Sequence, residues 1–248
     1  MKNMLCFRWS ESTHAHFFTS FFTGSGKTYT FFGPDGLLTN TTSQSASIGP
    51  RSHHGVVLRT CRELLQAKEY LATNGIIVSF TAQFVEIYEE KVTDLLTGSL
   101  AQISRETGNI KRAVEAPFNT MDQIMETLRS GHERKKFAST EMNERSSRAH
   151  TALIIHVLQK LDLDKFSTLR AQSSAAAGLC AALFKNSTND GVDDKLIKSQ
   201  LHLIDLAGSE RVKKSKASGL RLREAVGINS SLLVSNTSKH IQSHVLLS

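Results

Sequence analysis

The sequence predicts an α/β fold in which a central mixed sheet is flanked by helices. Segments with strand-like and helix-like hydrophobic patterns alternate along the chain, which is typical of helices packed on a sheet. Residues 76–88 show the clearest strand pattern, because Val78, Phe80, Ala82 and Phe84 alternate with polar neighbours. Hydrophobic residues make up 40% of the 248 residues, enough for one sizeable core or two small ones.

The N-terminal third contains one predicted strand and two predicted helices. Residues 1–14 have no clear period, so no element is predicted there. Residues 15–20 are apolar and predict a buried strand that leads into a glycine-rich loop, and a helix is expected from Lys27 onward. Residues 34–50 are rich in Thr, Ser and Gly, as surface loops are. Apolar residues at mixed helical spacing predict another helix over 55–73.

Predicted helices and strands also alternate in the rest of the chain. Thr120 and Gln123 form a capping-box pattern, which predicts that a helix begins before Ile124. Residues 160–199 are Ala/Ser-rich and then Asn/Asp/Lys-rich, which predicts a long loop-rich insertion within the domain. The remaining predicted elements are a short helix over 90–96 and strands over 151–158 and 201–206.

Composition narrows the function classes. The formal net charge of +7 favours an acidic partner, whether nucleic acid, anionic lipid or an acidic protein surface. Cys6, Cys61 and Cys180 are scattered, odd in number and without a Cys-x-x-Cys pair, so reduced thiols are expected rather than disulfides or a zinc site. No apolar run approaches the ~18 residues of a membrane span, and the N-terminus lacks the apolar region of a signal peptide. A cytoplasmic protein is expected.

The first of three segments suited to phosphate chemistry is Gly24-Ser25-Gly26-Lys27-Thr28. Glycines let backbone N–H groups point at phosphate oxygens, and a helix N-terminus adds positive potential. Lys27 is expected to reach the β- and γ-phosphates, and the Thr28 hydroxyl to coordinate Mg²⁺. Phe21 occupies the first glycine position of the full G-x-x-x-x-G-K-[ST] pattern, so a glycine turn that merely precedes a helix stays an alternative.

The other two segments are 143–150 and 205–210. In the first, paired serines beside an arginine offer hydroxyls for Mg²⁺ and phosphate and a guanidinium for charge, although polar surface loops have similar compositions. The second follows an apolar strand, and the carboxyl end of a strand is where α/β sheets place ligand chemistry. There Asp205 could hold a metal through water and Gly208 could donate its N–H to a γ-phosphate; a turn that begins at an aspartate is the alternative. Together the three segments favour a nucleoside-triphosphate site.

These motifs resemble those of a kinesin motor domain. The family patterns are G-Q-T-G-S-G-K-T, N-x-x-S-S-R-S-H and D-L-A-G-S-E; here Phe21 and Phe22 replace the first two residues of the first, Ala149 replaces a serine of the second, and the third is intact. Residues 224–232 resemble the family's relay helix, and Phe84-Val-Glu-Ile-Tyr88 with Asp94-Leu-Leu96 resembles its fourth strand and the following turn. The resemblance covers about residues 15–233, leaving divergent segments over 1–14 and 234–248.

The resemblance implies an ATPase that uses Mg²⁺ and binds microtubules, the tubulin polymers of the cytoskeleton. It implies nucleotide-binding roles for Phe21, Phe22, Thr23, Gly24, Ser25, Gly26, Lys27, Thr28 and Tyr29, the last beside the adenine. It implies catalytic roles for Ser146, Ser147, Arg148, Asp205, Gly208, Glu210 and Asn229, with Arg148 and Glu210 as an ion pair and Asn229 supporting the relay helix. It implies metal ligation by Thr28, Ser147 and, through water, Asp205, and microtubule contacts by Lys213, Lys214 and Lys216.

Two other functions stay open at this stage. A microtubule-binding module or gene fragment without catalysis is suggested by Phe21, by the divergent ends and by the absence of a recognisable neck linker. A basic nucleic-acid-binding protein is suggested by net charge alone, and no interleaved aromatic and basic pattern supports it, so no nucleic acid is expected. No heptads are visible, so the chain gives no indication of an oligomer.

Overall fold

A mixed sheet forms the centre of the molecule. The computed structural model describes residues 4–9, 14–20, 26–34, 36–39, 54–88, 91–104, 109–140, 149–162, 165, 168 and 196–207. The strand order across the sheet is β1-β2-β9-β8-β3-β4-β5-β6, and β7 also pairs with β3. The β2–β9 pair is parallel and the other pairs are antiparallel, so the predicted α/β fold with a mixed sheet is confirmed.

The elements, in chain order, are bounded as follows. The strands are β1 Met4–Trp9, β2 His14–Ser20, β3 Ile76–Tyr88, β4 Lys91–Asp94, β5 Leu100–Ile103, β6 Ile110–Lys111, β7 Ala116–Phe118, β8 His150–Leu161 and β9 Leu196–Asp205. The helices are α1 Lys27–Phe32, α2 Gly36–Thr39, α3 Val56–Thr73 and α4 Met121–Thr140.

The N-terminal segment contains a strand that the sequence did not predict. Met4–Trp9 pairs antiparallel with β2, from Met4 opposite Ser20 to Trp9 opposite Ala15. The expectation of no element over residues 1–14 was therefore wrong for 4–9 and, by one residue, for the start of β2 at His14. A strand of this kind is fixed by the partner it pairs with rather than by its own hydrophobic period.

The predicted short helix over 90–96 was also wrong. Lys91–Asp94 is the strand β4, which pairs antiparallel with β3 on one side and with β5 on the other. Asp94 then closes a turn, because its carboxylate accepts the Leu96 N–H and the Thr97 hydroxyl, both at 2.8 Å. Pairing on two sides outweighed the weak helical pattern of so short a segment.

The predicted insertion over 160–199 begins and ends in strand. Lys160 pairs with Leu196 and Gln159 with Ile197, so β8 and β9 extend into the segment from both sides. The other predicted strands, 15–20, 76–88, 151–158 and 201–206, all lie within observed strands or overlap them to within one residue.

The predicted helices at Lys27, over 55–73 and after Thr120 are confirmed as α1, α3 and α4. The capping pattern explains where α4 begins. The Gln123 N–H donates to the Thr120 hydroxyl at 3.3 Å, and the Gln123 side chain accepts the Asn119 N–H at 2.6 Å. These bonds satisfy backbone donors that the first turn of a helix leaves without intrahelical partners.

The main core lies between the sheet and α1, α3 and α4. Every second residue of the central strands enters it, including Phe84 of β3, Leu153 of β8 and Leu203 of β9, each at most 1% exposed. Cys61 of α3 is also buried there, and its burial raises the pKa of the thiol to about 12. By the same alternation Glu86, Thr151 and Asp205 lie on this face, at the end of the sheet where β9 stops.

The tight packing of α4 on β3 gives a stability prediction. In an open helix interior, Gly→Ala stabilises by about 1 kcal/mol. A Cβ at Gly131, however, would lie 2.2 Å from Cδ1 of Phe84 and 3.3 Å from Cβ of Leu95. Gly131→Ala is therefore expected to destabilise the domain by about 1–3 kcal/mol in denaturant unfolding. Exposed Glu126→Ala on the same helix is the control, and a stabilised Gly131→Ala protein would contradict the packing.

Among the described helices, none is long and apolar enough to cross a membrane.

Candidate functional site

Two of the three motifs meet where α1 begins and β9 ends. The Thr28 hydroxyl, in the first turn of α1, donates to Oδ2 of Asp205 at 2.8 Å, although 177 positions separate the two residues. Parallel pairing explains the meeting, because Thr19 near the end of β2 is opposite Asp205 at the end of β9. The chain leaving β2 therefore starts from the same edge of the sheet at which β9 finishes.

The second motif reaches the same edge through its last residue. His150 begins β8 and is 4% exposed, and its Nδ1 accepts the N–H of Ala207 at 2.9 Å. A ring nitrogen that accepts a backbone N–H carries no proton, so this bond fixes the proton of a neutral His150 on Nε2. The next residue, Thr151, is the register partner of Asp205. The described residues of all three motifs therefore lie at the same edge of the sheet, joined by the Thr28–Asp205 and His150–Ala207 hydrogen bonds.

Lys135 adds a positive charge that sequence reasoning missed. It lies in the last turns of α4, and its Nζ donates to the Thr151 hydroxyl at 2.5 Å. Burial lowers the pKa of Lys135, and the carboxylates of Asp205 and Glu86 oppose that shift. Asp205 is 5% exposed and Glu86 is 4% exposed, so two nearly buried carboxylates share the field of this ammonium. The Glu-Arg-Lys-Lys sequence does not indicate that Lys135 is buried, because the packing of α4 decides which of the two lysines points inward.

Gly26, the described end of the glycine loop, has a backbone conformation that favours glycine. Gly26 precedes α1 with φ 84° and ψ 24°, a left-handed geometry that side chains other than glycine rarely adopt. Lys27 is half-buried, and Tyr29 is 57% exposed at the start of α1, where its ring is accessible to a planar ligand.

Most of the other predicted site residues lie outside the described residues. For the nucleotide these are Phe21, Phe22, Thr23, Gly24 and Ser25, and for catalysis and metal binding they are Ser146, Ser147, Arg148, Gly208, Glu210 and Asn229. The predicted microtubule contacts Lys213, Lys214 and Lys216 also lie outside them. The site is therefore described here by Gly26, Lys27, Thr28, Tyr29 and Asp205, together with Lys135, His150 and Thr151.

The family follows from comparison with known proteins. The model of the kinesin motor domain family matches residues 10–238 of this chain. The chain belongs to the kinesin motor domain family. The resemblance stated from its motifs is thereby confirmed, and so is the kinesin-like fold.

Similar curated proteins are kinesin-like proteins of plants. This kinesin domain is 35% identical over 218 residues to KIN-14F of Arabidopsis thaliana, covering 85% of this chain and 16% of that protein. It is 35% identical over 210 residues to KIN-14O of Arabidopsis thaliana, covering 85% and 15%. It is 32% identical over 220 residues to KIN-14M of Oryza sativa subsp. japonica, again covering 85% and 15%. The chain spans about a sixth of the length of these relatives.

Solved kinesin structures share the fold. A fast kinesin has a TM-score of 0.61 at 25% identity, covering 92% of this chain and 59% of that one. The motor domain of Kar3 from Saccharomyces cerevisiae has a TM-score of 0.56 at 26% identity, covering 88% and 53%. KIF14, solved with AMP-PNP in complex with a microtubule, has a TM-score of 0.55 at 25% identity, covering 87% and 51%.

Proposed function

We propose that this kinesin domain binds ATP with Mg²⁺ and hydrolyses it, with stimulation by microtubules, in microtubule-based movement. The observation that carries the proposal is the convergence of the three motifs. Thr28 contacts Asp205, and His150 contacts Ala207, at the same edge of the sheet. Membership in the kinesin family supports the same chemistry.

The described donor set fits a hard divalent cation beside phosphates. Thr28 and Asp205 bring a hydroxyl and a carboxylate oxygen together, and oxygen ligands of this kind suit Mg²⁺. When bound, Mg²⁺ would neutralise charge on the β- and γ-phosphates. Lys27 would hold the same phosphates, and Lys135 would place its positive charge near the Asp205 carboxylate. Tyr29 would lie against the adenine.

The rest of the catalytic proposal depends on the switch segments. Ser146 and Ser147 would contact the γ-phosphate and the metal, and Gly208 would donate its backbone N–H to the γ-phosphate. Arg148 and Glu210 would pair across the site, which would close it and orient the attacking water. Water would attack in line with the leaving oxygen, and positioning and charge neutralisation would supply most of the rate.

The partner proposed is the acidic surface of the microtubule, which would place the domain on the cytoskeleton. Lys213, Lys214 and Lys216 follow the third motif closely and add local positive charge, in a chain with a net charge of +7. Attraction of this kind weakens as salt screens it, with a Debye length of about 8 Å at physiological ionic strength. KIF14, a structural relative, was solved in complex with a microtubule.

Removal of the Lys27 side chain tests the proposed function. A charge-assisted contact is worth about 1.5–3 kcal/mol, so Lys27→Ala is expected to weaken ATP binding about tenfold or more in a titration with Mg²⁺ present. Hydrolysis should be measured for the same proteins with and without microtubules. Lys111→Ala, an exposed lysine of β6, is the matched control and should bind ATP as the unaltered chain does.

The results separate the proposed ATPase from its rival. Unchanged ATP affinity in Lys27→Ala would remove the assignment of the phosphate loop. Microtubule binding without any hydrolysis would favour the non-catalytic module. Phe21 supports that rival, because it places a side chain where the motif has glycine.

A further inference from the structure

A row of three polar side chains crosses the sheet at the end where β9 stops. Strand register pairs Glu86 of β3 with Thr151 of β8, and Thr151 with Asp205 of β9. Thr151 is 0% exposed, and the two acidic residues are 4% and 5% exposed. We name these three residues the acidic row. Because burial keeps most water away from the row, charges placed near it are weakly screened.

Lys135 lies over the middle of the acidic row. It projects from α4, which packs against β3, and its Nζ donates to the Thr151 hydroxyl at 2.5 Å. Since β8 lies between β3 and β9, this bond holds the ammonium between the strands that carry Glu86 and Asp205. The charges of both carboxylates favour the ammonium form of Lys135. The ammonium in turn offsets part of the negative charge of the row.

Asp205 belongs both to the acidic row and to the candidate metal position. Its Oδ2 accepts the hydroxyl of Thr28, a proposed metal ligand, at 2.8 Å. The carboxylate next to that ligand therefore already interacts with the positive charge of Lys135. A cation held beside Thr28 would be attracted by the carboxylate and repelled by the ammonium, and both effects are strong where water is scarce.

We propose that Lys135 weakens Mg²⁺ binding at the nucleotide site, because its ammonium is a built-in counter-ion of Asp205 that competes with the metal for this carboxylate. The inference rests on the proposed Mg²⁺·ATP site and concerns how readily that site loses its metal. In the metal-free domain, Lys135 alone stabilises the charge of Asp205. When the metal is bound, two positive charges share the carboxylate, which favours release of the metal.

The same charge affects how tightly the nucleotide is held. A bound divalent cation neutralises phosphate charge, so loss of the metal weakens the hold on the nucleotide. Lys135 is therefore expected to speed the release of ADP as well as of Mg²⁺. It is a positioning residue, since it acts through Asp205 and needs no contact with the nucleotide.

A purely structural role for Lys135 makes the opposite prediction. If the lysine only anchors α4 to β8 through Thr151, its removal loosens this end of the sheet and misplaces Asp205, so Mg²⁺ binds more weakly. If its charge competes with the metal, its removal tightens Mg²⁺ binding although the fold becomes less stable. The direction of the change in Mg²⁺ affinity separates the two roles.

Replacing Lys135 with methionine tests the effect of the charge. The release of methylanthraniloyl-ADP, a fluorescent nucleotide, from the full chain should be followed while free Mg²⁺ is varied. The midpoint, the Mg²⁺ concentration at which half of the nucleotide is retained, is expected to fall about tenfold or more in Lys135→Met, because a unit charge repels a divalent cation twice as strongly as a monovalent one. Lys135→Arg keeps the charge and should keep the midpoint close to that of the unaltered chain.

Thr151→Val is the matched control for the lost hydrogen bond. Valine has nearly the shape of threonine but cannot accept the proton of Lys135, so the bond is lost while the charge stays. The midpoint in Thr151→Val should therefore not fall. Lys111→Met, at an exposed position of β6, removes one positive charge far from the row and should leave the midpoint unchanged.

Lys135→Gln keeps the proposal testable if Lys135→Met folds poorly. Glutamine is neutral and has an amide group that can donate to Thr151, so the midpoint should fall in this variant too. An unchanged or raised midpoint in the neutral variants, or an equal fall in Thr151→Val, would overturn the role of the charge. Nucleotide retention that does not depend on Mg²⁺ in the unaltered chain would instead contradict the proposed function, and this inference with it.

Discussion

Replacing Asp205 with asparagine is expected to lower the apparent affinity of the ATP complex for Mg²⁺ about 10–100-fold, the usual cost of losing an outer-shell carboxylate at a metal site. The amide oxygen of asparagine can still accept the Thr28 hydroxyl, which now lies 2.8 Å from Oδ2 of Asp205. The substitution therefore removes the negative charge and leaves the local hydrogen bond possible. Hydrolysis measured against Mg²⁺ concentration, at saturating ATP, gives the affinity.

Asp162→Asn is the matched control for this measurement. Asp162 follows β8 at the far end of the sheet from Asp205 and accepts the Lys165 N–H. The Asp162→Asn substitution should leave the Mg²⁺ dependence of hydrolysis unchanged. If Asp205→Asn also left the Mg²⁺ dependence unchanged, the carboxylate would have no part in holding the metal, and its contact with Thr28 would be structural only.

Replacing Lys135 with methionine is expected to destabilise the domain by roughly 1–3 kcal/mol, because the buried Thr151 hydroxyl loses its charged donor. Methionine keeps most of the length of the side chain but removes the donor to Thr151 and the charge near Glu86 and Asp205. Two nearly buried carboxylates would then lose the favourable field of this ammonium. The measurement is the free energy of unfolding in denaturant.

Two further variants separate charge from packing at this position. Lys135→Arg keeps the positive charge and should retain most of the stability. Lys111→Met alters an exposed lysine of β6 and should change the unfolding free energy by less than about 0.5 kcal/mol. A loss of stability in Lys135→Met no larger than that of Lys111→Met would show that the carboxylates do not depend on this charge.

Several elements were predictable because their signals are local. The alternation of residues 76–88, the Thr120–Gln123 capping pair and the glycines before Lys27 each specify a backbone state through contacts within a few residues. The two wrong predictions also have a physical cause. Met4–Trp9 and Lys91–Asp94 are strands because neighbouring strands pair with them, and no short-range pattern carries that information.

By itself, the sequence determined the fold class and the family, and it predicted the phosphate motifs, because these depend on residue types at fixed short spacings. Only the tertiary structure decided which distant groups meet. The Thr28–Asp205 contact spans 177 positions, and the inward turn of Lys135 depends on how α4 packs against β3 and β8. Such contacts arise only when the hydrophobic faces of separate elements are buried together, which no local stretch of sequence specifies.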